Sequence, residues 1–191
     1  MKDYTDPSYS EELDQLPNWD RSFWLSRAYL EASQCLCSSM IAGDFSSQYS
    51  STRVVLHLAR HGIELFLKAA IELTGIRTEK FGHNLSSLYE EYWKLYPDQS
   101  FYFLMPSRFM VSPTLDIFPE VYRELHATLD QRHRYGKDRK GNSFATPEVF
   151  EPQIVLRELE ELRKSLVILE WSKIKLRSGQ SYFGSQHHTA T

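Results

Sequence analysis

Residues 53–74, RVVLHLARHGIELFLKAAIELT, constrain the fold more than any other stretch. Wound at 3.6 residues per turn they make about six helical turns. Val54, Val55, Leu56, Leu58, Ala59, Ile63, Leu65, Phe66, Leu67, Ala69, Ala70, Ile71 and Leu73 cover most of the circumference. Arg53, His57, Arg60, His61, Glu64, Lys68 and Glu72 fall within about a third of it, because successive residues are about 100° apart. A helix apolar on most sides belongs in the middle of an all-α domain. Its narrow titratable stripe is either a solvated face or a polar seam toward a ligand or a second subunit.

The chain has 191 residues, 41% apolar and 25% charged, enough to bury one core and too apolar for general disorder. The net charge of −3 gives no overall attraction to polyanions, so any such binding needs a local basic patch. Cys35 and Cys37 sit about 200° apart on a predicted helix, a poor geometry for a mutual disulfide. They read as free thiols of a reducing compartment. Residues 1–17 are acidic and lack a signal-peptide core, and no run reaches the ~20 apolar residues of a membrane span. The expectation is a cytoplasmic protein that does not enter a membrane.

Taken in order, residues 1–17 read as a flexible lead-in, 18–177 as one helical domain and 178–191 as a disordered tail. Asn18 or Asp20 caps a first helix over 21–41. Gly43 breaks it and residues 50–52 start the 53–74 helix, which ends near Gly75. Asn84 or Ser86 caps a third helix over 85–95, with Leu85, Leu88, Tyr89, Tyr92 and Leu95 inward and Pro97 after it. Pro106 and Pro113 forbid one long helix over 98–118. A helix over 120–133 follows Pro119. Residues 132–152 form a turn-rich connection, with a β-hairpin among its readings. The last helix spans 152–176 on a seam of Ile154, Leu156, Leu159, Leu162, Leu166, Leu169 and Ile174, broadened by Ile168 and Trp171. The sum is an up-and-down bundle of four to five helices with an irregular insertion before the last.

Several groups can carry chemistry. His57 and His61 are one turn apart, a spacing that can hold zinc once a third ligand joins. Leu58 stands where a zincin needs its glutamate, so that signature is absent. Glu64 and Lys68 form an i,i+4 pair, either a surface ion pair or a partly buried link that fixes helix register. His83 opens the third helix, either bonding the backbone or the Glu64 carboxylate, or acting as a general base. Arg132, His133, Arg134, Lys137, Arg139 and Lys140, with Tyr135 among them, are either a solvated turn or a site that holds phosphate and stacks a base. No nucleotide-binding, hydrolase-elbow or cysteine-zinc signature is present, and no cofactor is expected.

HGIELFLKAAIE at 61–72 followed by GHNLSSLY at 82–89 resembles the HEPN domain superfamily of helical proteins. Glu64, Leu67, Lys68 and Ala69 match its E-x-x-L-K-A pattern, and Gly82, His83, Asn84 and Leu85 its G-H-[DN]-L pattern. The RYGKDRKG stretch at 134–141 is similar to a loop before the last helix in some members. The resemblance covers about residues 20–176 and implies a four- to five-helix bundle that dimerises. It implies one of two roles: a ribonuclease of toxin–antitoxin or defence systems, or a non-catalytic partner of a nucleotidyltransferase. Nuclease members carry Arg, four to six residues, then His near the start of the last helix. This chain has no such pair in its C-terminal half; its one match, Arg77 and His83, lies ahead of the third helix. The expectation is therefore a homodimeric RNA-binding or protein-interaction module, partnered by RNA, an antitoxin or a nucleotidyltransferase. The alternative is a metal-independent endoribonuclease in which His83 or His133 moves protons and Arg132 or Arg134 steadies the phosphate.

Overall fold

The computed structural model describes residues 16–109, Tyr135, Lys137, Gly141 and residues 150–177, with Tyr49 described by its backbone alone. Four helices dominate these residues, and no β-strand occurs among them. They are α1 (Asn18–Ala42), α2 (Gln48–Glu72), α3 (Leu85–Leu95) and α4 (Pro152–Leu169). α4 runs on through a π-helical turn, Glu170–Ile174, into Lys175–Arg177. The protein is an all-α helical bundle. The expected helix over 120–133, the N-terminal lead-in, the C-terminal tail and most of the 132–152 connection lie outside the described residues.

Local chemistry sets the helix limits. Gly43 takes a left-handed φ of 83°, so its N–H and that of Asp44 return to the Met40 and Ser39 carbonyls and close α1. Ser47 accepts from the Ser50 N–H, so α2 starts five residues before the predicted Arg53. Asn84 accepts from the Ser87 N–H and caps α3. Pro152 opens α4 at a position that needs no N–H donor.

α1 and α2 are antiparallel and close. The Ser26 hydroxyl donates to the Gly62 carbonyl at 2.7 Å and the Ser33 hydroxyl to the Val55 carbonyl at 2.8 Å. A Cβ on Gly62 would meet Leu30 Cγ at 2.9 Å and the Ser26 carbonyl at 3.0 Å, so only glycine permits this approach. α4 is antiparallel to α1: Cys37 Sγ meets the Pro152 carbonyl at 3.2 Å, and Lys175 reaches Asp20.

The up-and-down expectation fails at one step. Arg60 binds the His83 carbonyl, Phe66 packs on Tyr92, and the Tyr96 hydroxyl donates to the Ala70 carbonyl. Numbers rise together, so α3 runs in the same sense as α2. The connection 73–84 causes this, because it leads the chain back along α2 before α3 begins. Within it Thr78 donates to Glu72, and Glu79–Phe81 form a 3₁₀ turn.

The core joins Phe23, Leu30, Val55, Ile63, Phe66, Leu88, Tyr92 and the α4 row Val155, Leu159, Leu162, Leu166 and Leu169. Two positions on the predicted α4 seam differ. Ile154 is 39% exposed while Val155 is buried, and Ile168 is 59% exposed. The 4-3-4-3 steps from Val155 set the inward stripe, and Ile154 and Ile168 lie off it. In α1, Met40 and Cys37 are buried and Cys35 is exposed.

Candidate functional site

The polar stripe of α2 meets the chain again at residues 81–84. Gly82 has φ 54° and ψ −120°, and the Asn84 N–H donates to the Phe81 carbonyl at 3.1 Å. That is a type II′ turn with Gly82 in the position that demands positive φ. Open space surrounds a Cβ built on Gly82, so backbone conformation alone calls for glycine there. The turn delivers His83 to α2, Asn84 caps α3, and Leu85 enters the core at 2% exposure. Each residue of the G-H-N-L motif thus has a separate physical task.

Glu64 is the centre of the site. It is 2% exposed and lies four residues from both Arg60 and Lys68 on the same helix. Its Oε1 accepts from Lys68 Nζ at 2.7 Å and meets His83 Nδ1 at 2.9 Å. Its Oε2 lies 3.9 Å from Arg60 Nη1 and 4.0 Å from His61 Nδ1. Arg60 also donates to the His83 carbonyl at 2.9 Å, which fixes that residue from a second side. Burial pushes the Glu64 carboxyl upward. The hydrogen bonds and charges of Lys68 and His83 outweigh it and hold the group below the ordinary carboxylate value. An ionised Glu64 only accepts, so the proton of a neutral His83 resides on Nδ1 and Nε2 carries the free lone pair. The His83 side chain is 54% exposed, so water reaches this oriented imidazole.

His57 stacks on His61 with centroids 6.2 Å apart, and the Tyr29 ring meets His61 edge-on at 4.6 Å. Among the described residues no three His, Cys, Asp or Glu side chains form a metal-ligand set. The Glu64 carboxylate already faces the cations of Lys68 and Arg60, at 2.7 and 3.9 Å. Tyr135 and Lys137 are exposed, far from Glu64 in sequence, and the Tyr135 carbonyl accepts from Arg53 Nη2 at 2.9 Å. Arg132, His133, Arg134, Arg139 and Lys140 lie outside the described residues. The structure therefore brings together Glu64, Lys68 and His83, adds Arg60 and His61 to them, and ties Tyr135 to the first turns of α2.

A second charged cluster escaped the sequence reading. Lys175 is 2% exposed, with Nζ 2.7 Å from Asp20 Oδ1 and 2.9 Å from Glu170 Oε1. Arg27 lies 3.6 Å from Glu170 and over the Trp24 ring, and Lys175 lies over Trp171. Among the described residues Arg27 and Lys175 meet Asp20 and Glu170 here, joining the start of α1 to the π-helical turn. Asp20, considered as a helix cap, is an interior ion-pair partner instead. The π-helical turn Glu170–Ile174 shifts the phase of the helix, so Lys175, off the 4-3-4-3 stripe in sequence, is buried.

No protein-family model, curated protein or solved structure matches the chain.

Proposed function

We propose that the chain is a HEPN-like helical protein that works by binding, as a homodimeric module for RNA or a partner protein in a prokaryotic defence or toxin–antitoxin setting. The observation that carries the non-catalytic reading is the use made of Glu64. Its carboxylate holds Lys68, and it holds the His83 turn that starts α3. The residues that carry the family resemblance are thereby engaged in fixing the fold. The RNA part rests on the Arg53–Tyr135 bond, which ties the Tyr135 backbone to α2 while Tyr135 stays 59% exposed. An exposed tyrosine beside cations is a platform for a stacked base and its phosphate.

One observation favours a second reading, a metal-independent endoribonuclease. His61 and His83 address opposite oxygens of Glu64, with Lys68 on the same carboxylate. One imidazole can take the ribose 2′-OH proton while the other protonates the departing 5′ oxygen, and the lysine balances charge on the phosphorane.

The two readings separate in one assay: structured and unstructured RNA incubated with the protein in EDTA. Intact RNA, bound in a salt-dependent way and released by Arg132→Ala with Arg134→Ala, supports the binding module. Cleavage that disappears in His83→Ala supports the enzyme.

A further inference from the structure

Of the three described histidines, His83 alone is exposed, and His57 and His61 are partly buried. The same ring is held from several sides. Its Nδ1 lies 2.9 Å from Glu64 Oε1, its carbonyl accepts from Arg60, and the Asn84 cap fixes the chain just after it. Glu64 is 2% exposed, and burial notwithstanding, Lys68 and His83 keep it ionised. A neutral His83 therefore carries its proton on Nδ1 and its lone pair on Nε2. With Nδ1 on the carboxylate, Nε2 faces away from it. Among the described residues no hydrogen-bond partner occupies Nε2. A buried carboxylate thus fixes the tautomer and direction of a ring nitrogen that solvent and solutes reach. A carboxylate placed in this way raises the basicity of the opposite nitrogen.

We infer that His83 Nε2 is a modification site, the acceptor of a phosphoryl group from a donor of the phosphoramidate class. Lys68 and Arg60 face the carboxylate that holds the ring, at 2.7 and 3.9 Å, so the surroundings favour an anionic electrophile over a neutral acyl donor. In the step, the Nε2 lone pair forms a bond to phosphorus while the P–N bond of the donor breaks. The electron pair of that bond leaves on the donor nitrogen, which already carries its proton and departs as the neutral amine. The Nδ1 proton stays on the ring, and Glu64 stabilises the imidazolium that forms. One P–N bond replaces another, so the exchange needs no further co-reactant. The product keeps its Nδ1–H on Glu64, so the α2–α3 junction survives while a phosphoryl anion appears on the exposed side of the ring. This inference uses neither Tyr135 nor the basic segment, so it holds or fails apart from the RNA reading.

The test treats the full chain with potassium phosphoramidate at neutral pH, with N-acetylhistidine in the same tube as the reference. Peptide mass spectrometry gives the site and rate, and NMR of the ring nitrogens gives the atom that bears phosphorus. His83 should react at least about tenfold faster than the reference, and at Nε2. Glu64→Gln keeps the side-chain shape and removes the charge, and should bring the rate down to that of the reference. Circular dichroism of the same sample shows whether that variant is folded, and the rate and the atom in the native chain decide the matter without it. Three results would overturn the proposal: reaction at His83 no faster than the reference, attachment at Nδ1, or an undiminished rate in folded Glu64→Gln.

Discussion

His83 Nδ1 lies 2.9 Å from Oε1 of Glu64, a carboxylate that is 2% exposed, and Arg60 grips the carbonyl of the same histidine. The α2–α3 junction is therefore held by one charged side-chain bond and one backbone bond. Glu64→Ala should destabilise the protein by about 2–4 kcal/mol, because it removes the counter-charge set among Lys68 and Arg60. His83→Ala should cost less, about 1 kcal/mol, since water replaces part of a half-exposed bond. Urea unfolding of the two variants measures both values.

Glu64 also sets an acid-side dependence. Its folded carboxyl titrates below the ordinary 4.5, burial notwithstanding, because Lys68 and His83 favour the anion. A carboxyl depressed on folding contributes stability above its unfolded value and loses that contribution as pH falls through its folded one. Urea midpoints of the native protein and Glu64→Gln should thus converge below pH 4.5 and stay apart at neutral pH. A constant gap down to pH 3 would contradict this.

The alkaline side has a different cause. Burial pushes the Tyr96 hydroxyl up to about 12 despite Arg177 nearby, and raises Tyr92 in the same way. Burial also lifts the Cys37 thiol to about 11. Groups raised on folding keep their contribution below their unfolded value and lose it as pH rises toward the folded one. Stability should fall from about pH 9 upward, first through Cys37 and then through the tyrosines, and tyrosinate absorbance should report Tyr92 and Tyr96 only as the protein unfolds.

Two glycines should fail for different reasons. Gly82→Ala places a side chain at φ 54° in empty space and should cost about 1–2 kcal/mol of backbone strain. Gly62→Ala meets Leu30 Cγ at 2.9 Å in an ordinary helix and should cost about 1–3 kcal/mol by overpacking. Combining Gly62→Ala with Leu30→Val should recover part of the loss, while Gly82→Ala should gain nothing from that partner.

Lys175 tests the cluster that the sequence did not reveal. Lys175→Met leaves Asp20 and Glu170 together in a buried space and should cost about 3–5 kcal/mol. Thermal unfolding monitored through Trp171 fluorescence, the ring over which Lys175 lies, reads this directly.

These residues mark what could be read in advance. Glu64, Lys68 and His83 were legible because their grouping is local: one helical turn, then a glycine turn and a cap. The α3 limits followed from Asn84 and Pro97 for the same reason. Arg60 and His61 lay on the predicted stripe, but their common target became visible only with His83 in place. The Asp20–Lys175 pair spans 155 positions, and no periodicity in either helix encodes it. The sense of α3 was missed because a twelve-residue connection can either reverse the chain or lead it back, and only tertiary contacts such as Arg60 with His83 and Tyr96 with Ala70 reveal which. Ile154 shows the limit of a hydrophobic seam. A flanking isoleucine looks inward in sequence until the adjacent valine takes the stripe.

We propose that the Glu64–His83 arrangement fixes the fold of a binding module and has no catalytic role. The most direct measurement follows end-labelled RNA with the purified protein in EDTA, scoring retention and strand scission in the same samples. The expected result is retained, uncut RNA whose binding weakens with salt and with Arg132→Ala and Arg134→Ala, and stays unchanged in His83→Ala. Scission yielding 2′,3′-cyclic phosphate ends, abolished by His83→Ala, would contradict it.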